Sequence, residues 1–186
     1  MAYTVRTVKA DEWEELRALR LRALGDPVAR IAFCDDPRLA LLQADDYWKA
    51  RAVPLSDGGT ATNLIAVDED DGTWVGMLAV LDETGSRGPV QEPDGAALPD
   101  RVHIVSVYVL PEHRGTGVAE ALLRGAVAWS WENTPAQRVR LWVHERNSRA
   151  LAFYLRLGFV RTGERMPFPS QPEETEHELE IRRGTA

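Results

Sequence analysis

A single cysteine, Cys34, stands among the 186 residues. No intrachain disulfide can brace the fold, which suits a reducing cytoplasm, and no neighbouring pattern marks the thiol as a nucleophile. No apolar run approaches the ~20 residues that cross a bilayer, and the stretch MAYTVRTVKADEWEEL carries no signal-peptide core. Membrane insertion and secretion are not expected. Positive charge is in short supply: 22 Lys and Arg against 29 Asp and Glu leave −7 with His neutral. A general polyanion binder needs the opposite sign, so a nucleic-acid partner is not expected. The same balance is compatible with a cationic or amine substrate. Histidines number four, and no His, Cys and carboxylate cluster has metal-ligand spacing; His144-Glu145 lacks the second histidine of H-E-x-x-H. No metal is expected. Repeats, heptads and extended low-complexity tracts are absent as well.

What is present is globular composition, 44% hydrophobic and 27% charged, in a length that suits one domain over residues 1–186. Residues 3–8 alternate as a first strand, and Asp11 with Glu14 forms a capping-box-like start to a helix carrying Trp13, Leu16, Leu19 and Ala23. One or two short helices are expected between Ile31 and Ala52. Residues 63–68 and 73–81 flank Glu69-Asp70-Asp71-Gly72, a hairpin signal. Residues 84–100 hold three prolines and three glycines and read as a long surface excursion. A central strand over 101–110, apolar on both faces, stops at Pro111. A helix from Val118 runs toward Pro135, a strand covers 139–144, and Asn147 or Ser148 caps a helix ended by Gly158. Phe159 begins another extended segment, and the acidic run Glu173 to Glu180 reads as a solvated strand and turn. The order predicts a mixed α/β sheet.

The most informative stretch is VYVLPEHRGTGVAEALL, residues 107–123. A buried strand ends at proline, a Gly-rich turn follows, and an amphipathic helix starts at once. Glycines 115 and 117 let a ligand approach the backbone, and amides from Arg114 to Ala119 point an anion-binding helix terminus at it. Arg114 offers a direct charge contact. Neither nucleotide signature fits: Val118-Ala119 replace the Lys-Ser/Thr of the Walker loop, and the three-glycine dinucleotide spacing fails. A tight turn with a solvated arginine is the bland alternative.

The run P-E-H-R-G-T-G-V-A after a strand resembles the pyrophosphate loop of the GCN5-related N-acetyltransferase (GNAT) superfamily, written Gln/Arg-x-x-Gly-x-Gly/Ala. Two registers fit, one from Glu112 to Gly117 and one through Arg114, Gly117 and Ala119; the first departs from the pattern at Glu112. Residues 139–159, VRLWVHERNSRALAFYLRLGF, resemble the second signature of that family: strand, Asn, a helix with Ala and Phe-Tyr, then Leu-Gly-Phe.

The resemblance implies a twisted, mostly antiparallel sheet of about six to seven strands and about four helices. Its central parallel strands, here 102–109 and 139–144, should splay to admit acetyl-CoA. It implies that the backbone of Val107, Tyr108 and Val109 holds the pantetheine arm, and that Arg114, Gly115, Thr116, Gly117, Val118 and Ala119 hold the pyrophosphate. Asn147 should contact the arm, and Tyr154 should reach the sulfur as the general acid. Homodimers are common in the family, but no residue pattern marks an interface here.

An alkylamine acceptor has a pKa of about 10.4 and must lose a proton before attacking a thioester. His103 is the candidate base, because alternation puts 103, 105, 107 and 109 on one face. His144 is a weaker candidate. Phe33, Tyr47, Trp48, the 84–100 loop and Met166 to Ser170 are candidate acceptor walls, and Asp45 and Asp46 could attract an ammonium group. The expected activity is acetyl transfer from acetyl-CoA to a primary amine, small molecule or protein, in a ternary complex. A non-catalytic acyl-CoA sensor and an unrelated nucleotide-binding domain are the alternatives.

Overall fold

Gly72, at φ 77°, turns the chain between two strands, β2 (Thr62–Asp68) and β3 (Trp74–Asp82), and the Asp68 side chain secures the turn by accepting from the Asp70 amide at 3.0 Å. This hairpin belongs to a seven-stranded sheet in the computed structural model, which describes residues 2–84 and 100–184. The other strands are β1 (Tyr3–Thr7), β4 (Arg101–Val109), β5 (Arg138–His144), β6 (Val160–Phe168) and β7 (Gln171–Arg182), and the order is β1-β2-β3-β4-β5-β7-β6. Among the described residues only β4 and β5 pair in parallel, and every other neighbour is antiparallel. Among the described residues five α-helices accompany the sheet, where the family resemblance implies about four: α1 (Trp13–Leu24), α2 (Pro37–Leu41), α3 (Asp45–Ala52), α4 (Val118–Asn133) and α5 (Ser148–Arg156). Helices α2 and α3 fill the Ile31–Ala52 stretch expected to hold one or two short helices; α2 is a short turn started by Pro37 and capped by the Asp36 side chain.

Helix α4 buries Val118, Leu122, Leu123, Ala126 and Ser130 along one stripe. Leu122 and Leu123 are almost wholly excluded from water, a burial of about 2 kcal/mol each. The helix can lie close because β3 carries Gly76: a Cβ there would stand 2.9 Å from Leu122 Cδ1 and 3.0 Å from the Tyr108 carbonyl oxygen. The capping box expected at α1 does not form. Glu12, at the N-cap, makes no cap bond; it accepts from the Lys9 amide at 2.9 Å and from both Arg6 terminal nitrogens at 2.8 and 2.7 Å. A two-pronged guanidinium contact outcompetes a local cap.

Strand β4 contains one residue too many for β3. Val105 stands opposite Ala79, yet Tyr108 stands opposite Met77, and Ser106 takes φ 60° in the bulge between them. Cross-strand partners share a face, so Tyr108 joins the face of His103 and Val105, while Val109 joins Val102 and Ile104. The expected common face for 103, 105, 107 and 109 is therefore broken at Ser106.

Candidate active site

Strands β4 and β5 are joined at only three positions, Arg101↔Arg138, Val102↔Val139 and His103↔Arg140. Beyond them they separate. Residues Ile104 to Val109 form one wall of a cleft of about 530 Å³, and Leu141 to His144 form the other. The Ser106 bulge falls within the separated stretch, and a bulge bends the strand that carries it. Backbone groups that a regular ladder would consume thus face open space.

The Gly-rich turn lies at one end of the cleft. Gly115 and Gly117 sit at φ 83° and 96°, and a Cβ on either would meet nothing within 4 Å. Their role is conformational: they let the chain turn into α4 through left-handed backbone. No side chain caps α4, and its first internal bond runs from the Ala121 amide to the Gly117 carbonyl. The amides of Val118, Ala119 and Glu120 are left without intrahelical partners at the positive end of a 16-residue helix. Arg114 lines the cleft but is already held. Its Nε donates to the Val109 carbonyl at 3.0 Å, and its Nη2 donates to Asp26 at 2.5 Å, a carboxylate almost wholly buried.

Tyr154 projects from α5 into the same cleft, packed against Phe153 and Phe159 with ring centroids 5.6 and 6.1 Å away. Burial pushes its phenol up to about 12, so it stays a proton donor throughout the neutral range. Asn147 lines the cleft as the N-cap of α5, its Oδ1 accepting from the Ala150 amide at 3.2 Å. A strand pair unzipped beside a bare helix terminus, with a protonated tyrosine between, is a receptacle for a long molecule ending in an anion.

The sequence profile of the Acetyltransferase (GNAT) family matches residues 20–159. The chain belongs to this family. A mycothiol acetyltransferase of Salinispora tropica is 32% identical over 130 residues, 70% of this chain and 38% of that protein. An N-alpha-acetyltransferase of Sulfurisphaera tokodaii is 36% identical over 93 residues, 50% of this chain and 54% of its own length. The chain thus matches well under two thirds of either relative. Among solved structures, the ribosomal-protein-S5-alanine acetyltransferase of Vibrio fischeri superposes with a TM-score of 0.74 at 14% identity, covering 100% of this chain and 95% of that one. Arabidopsis thaliana NAA60 in complex with acetyl-CoA gives 0.68 at 16% identity, covering 97% and 98%. These establish the GNAT fold, with its one parallel strand pair.

Within this GNAT cleft the sequence-predicted residues divide. Val107, Tyr108, Val109, Arg114, Gly115, Gly117, Ala119, Asn147 and Tyr154 line it. Thr116 and Val118 do not: the Thr116 hydroxyl donates to the His113 carbonyl at 2.7 Å, and the Val118 side chain is buried. His103 lies outside the lining, with Nδ1 3.3 Å from Glu83 Oε1. Glu83 is buried and also meets Arg101 and Arg140, both at 2.8 Å. His103 is a member of this ion cluster, and the geometry gives a base role no support.

His144 lines the cleft: its Nδ1 accepts from the Arg146 amide at 3.1 Å, and its Nε2 lies 2.6 Å from Glu174 Oε2 without a well-aligned hydrogen bond between them. Phe33 is a wall of the cleft, whereas Tyr47 and Trp48 line a separate cavity of about 270 Å³. Met166 to Ser170 are not in the lining, and residues 85–99 of the excursion lie outside the described residues. Asp45 and Asp46 pair with Arg17 and Lys49 at the surface. Cys34 is kept a neutral thiol, pushed up to about 11 chiefly by burial. Among the described residues no group of three His, Cys, Asp or Glu could hold a metal ion.

Two cleft features escaped the sequence reading. Asp26, which restrains Arg114, lies 88 residues away along the chain. Glu176 lines the cleft from β7, in the run expected to be solvated; Glu178 and Glu180 in that run are buried. The strict alternation of acids along β7 was the available signal.

Proposed function

We propose that the chain is an N-acetyltransferase that binds acetyl-CoA in the cleft and passes the acetyl group directly to a primary amine. The observation that carries this reading is the loss of β4–β5 pairing after His103↔Arg140, which opens toward the unpartnered amides of Val118 to Glu120. The backbone of Val107 to Val109 would hold the pantetheine arm, and the Val109 carbonyl, taken by Arg114, leaves its amide as the contact that residue offers. The glycine turn and the α4 terminus would receive the diphosphate through backbone donors. Arg114 acts by fixing the turn, since its charge is already balanced by Asp26.

The chemistry then asks for two proton movements. The amine nitrogen, once neutral, attacks the thioester carbonyl; a C–N bond forms and the C–S bond breaks. Tyr154 gives its phenolic proton to the departing thiolate and regains one from the new amide nitrogen. The acceptor is an amine of a small molecule or of a protein.

Calorimetric titration with acetyl-CoA, then CoA release over a panel of amines, tests the proposal, with Tyr154→Phe as control. The expected result is unchanged acetyl-CoA affinity and a kcat lowered about 100-fold or more in the variant. Preference for ATP over acetyl-CoA would overturn the assignment. Tight acetyl-CoA binding with no turnover of any amine would mark a sensor.

A further inference from the structure

Four glutamates, 174, 176, 178 and 180, recur at period two along β7 and so share one face of the sheet. Three have cations. Glu180 meets Arg138 at 3.0 Å and Arg182 at 2.6 Å. Glu178 meets Arg140 at 3.0 Å. Glu174 meets Arg146 at 2.8 Å, with His144 Nε2 at 2.6 Å. Glu176 has neither an ion pair nor a hydrogen bond from its carboxylate among the described residues, although it is half-buried. It is also the one rung of the four that lines the cleft.

The groups around it do not fill the gap. From β5, its register partner His144 turns Nδ1 to the Arg146 amide and Nε2 toward Glu174, 2.6 Å away, and makes no contact with the Glu176 carboxylate. From β6 its partner is Met166, an uncharged side chain. The Cys34 thiol, which feels the Glu176 charge, is neutral, and Arg20 meets Asp35 through Nη2 at 2.6 Å; its Nε and Nη1 make no hydrogen bond, to Glu176 or to any other described residue. On α5, Arg149 and Arg156 line the cleft without pairing to Glu176, and Arg156 sits over the Phe153 ring. Tyr154, on the same helix, is protonated. At the far turn, Arg114 is bound to Asp26, and the Tyr3 hydroxyl is 3.2 Å from His113 Nδ1.

We propose that the acceptor supplies the missing cation: Glu176 holds the substrate's ammonium group in the cleft and takes its proton. This rests on the acetyl-transfer reading and deepens it, since it selects acceptors that arrive as ammonium ions. The proton balance closes. R–NH₃⁺ gives one proton to the Glu176 carboxylate, and the free pair on nitrogen forms the C–N bond. A second nitrogen proton replaces the one Tyr154 passes to the thiolate, and Glu176 releases its own to solvent. Burial without a counter-cation pushes the Glu176 carboxyl up to about 6, which makes it a stronger base than an exposed glutamate while leaving it ionised at pH 7.5.

The test compares wild type, Glu176→Gln and Glu176→Asp, with n-propylamine and the peptide Ala-Ala-Ala as acceptors. Acetyl-CoA affinity should stay within about twofold in all three, while kcat/KM in Glu176→Gln falls about 100-fold or more. The rise of kcat/KM with pH through about 6 should vanish in Glu176→Gln and persist, shifted, in Glu176→Asp. A second readout needs no turnover. A carboxyl whose folded pKa is raised costs stability once it ionises, so Glu176→Gln should melt about 2–4 °C higher than wild type at pH 7.5 and equally at pH 4.

Unchanged kcat/KM and pH profile in Glu176→Gln would overturn the proposal. So would a lower melting temperature at pH 7.5, which would mean the protein itself supplies a cation. Failure of wild type to bind acetyl-CoA would instead defeat the acetyl-transfer reading on which it stands.

Discussion

Arg140 occupies the last rung joining β5 to β4, and its guanidinium reaches across β4 to meet Glu83 at 2.8 Å. Glu83 directly follows β3, so this bridge clamps three strands where the cleft closes. Arg101 approaches the same carboxylate at 2.8 Å and His103 at 3.3 Å. Burial pushes the Glu83 carboxyl up, but hydrogen bonds from His103, Arg101 and Arg140 outweigh it and bring it down to about 2.

A carboxylate held below its unfolded value stabilises the fold above about pH 4.5, and that contribution is lost as pH falls toward 2. Glu83→Gln leaves two guanidiniums facing each other without their shared anion. Urea unfolding at pH 7 should show a loss of about 3 kcal/mol, shrinking as the pH is lowered through that window. A loss independent of pH would count against the clamp.

Two glycines that face α4 or sit in it should respond differently to alanine. At Gly76 the new methyl meets the Tyr108 carbonyl at 3.0 Å as well as Leu122, and backbone cannot step aside. Gly76→Ala should cost about 1–3 kcal/mol. At Gly125 the nearest atom is the side-chain Val5 Cγ1 at 3.0 Å, which needs to yield only a few tenths of an ångström with no backbone in the way, and a helix interior gains from alanine. Gly125→Ala should stay within about 1 kcal/mol of wild type, and thermal melts of the two variants side by side check the contrast.

Asn147 combines a cap with a place in the cleft. Asn147→Ala should lose about 1 kcal/mol of stability and weaken acetyl-CoA. Asn147→Asp keeps the accepting oxygen and removes the side-chain donor. It should hold its melting temperature while its acetyl-CoA affinity falls, by calorimetry. Equal affinity in Asp and wild type would reduce Asn147 to a cap alone.

The glycine turn, the strand before it and the helix after it were legible because each is a local consequence of residue type: Pro111 stops, Gly115 and Gly117 reverse φ, and Val118 to Val127 recur with helical period. A cap at Asn147 or Ser148, which the structure gives to Asn147, and Gly158 as left-handed terminator, at φ 93°, were legible for the same reason. The bulge was not. Serine has no special liking for positive φ, so nothing at Ser106 announces the extra residue, and the face assigned to Val107 and Val109 went wrong with it. Long-range charge pairing was equally hidden. That Arg114 is neutralised by Asp26, that His103 sits with Glu83, and that three of four β7 glutamates are matched all depend on which strands become neighbours.

The supernumerary serine divides β4 into two segments written in opposite reading frames. Excising that one residue would realign the frame and turn the downstream portion inside out. Tyr108 would then drive its hydroxyl into the dry layer beneath α4, while Val109 would offer Phe33 and Arg114 a bare aliphatic surface where an aromatic ring now receives both. The strand can exchange residues at this point, but it cannot change its length.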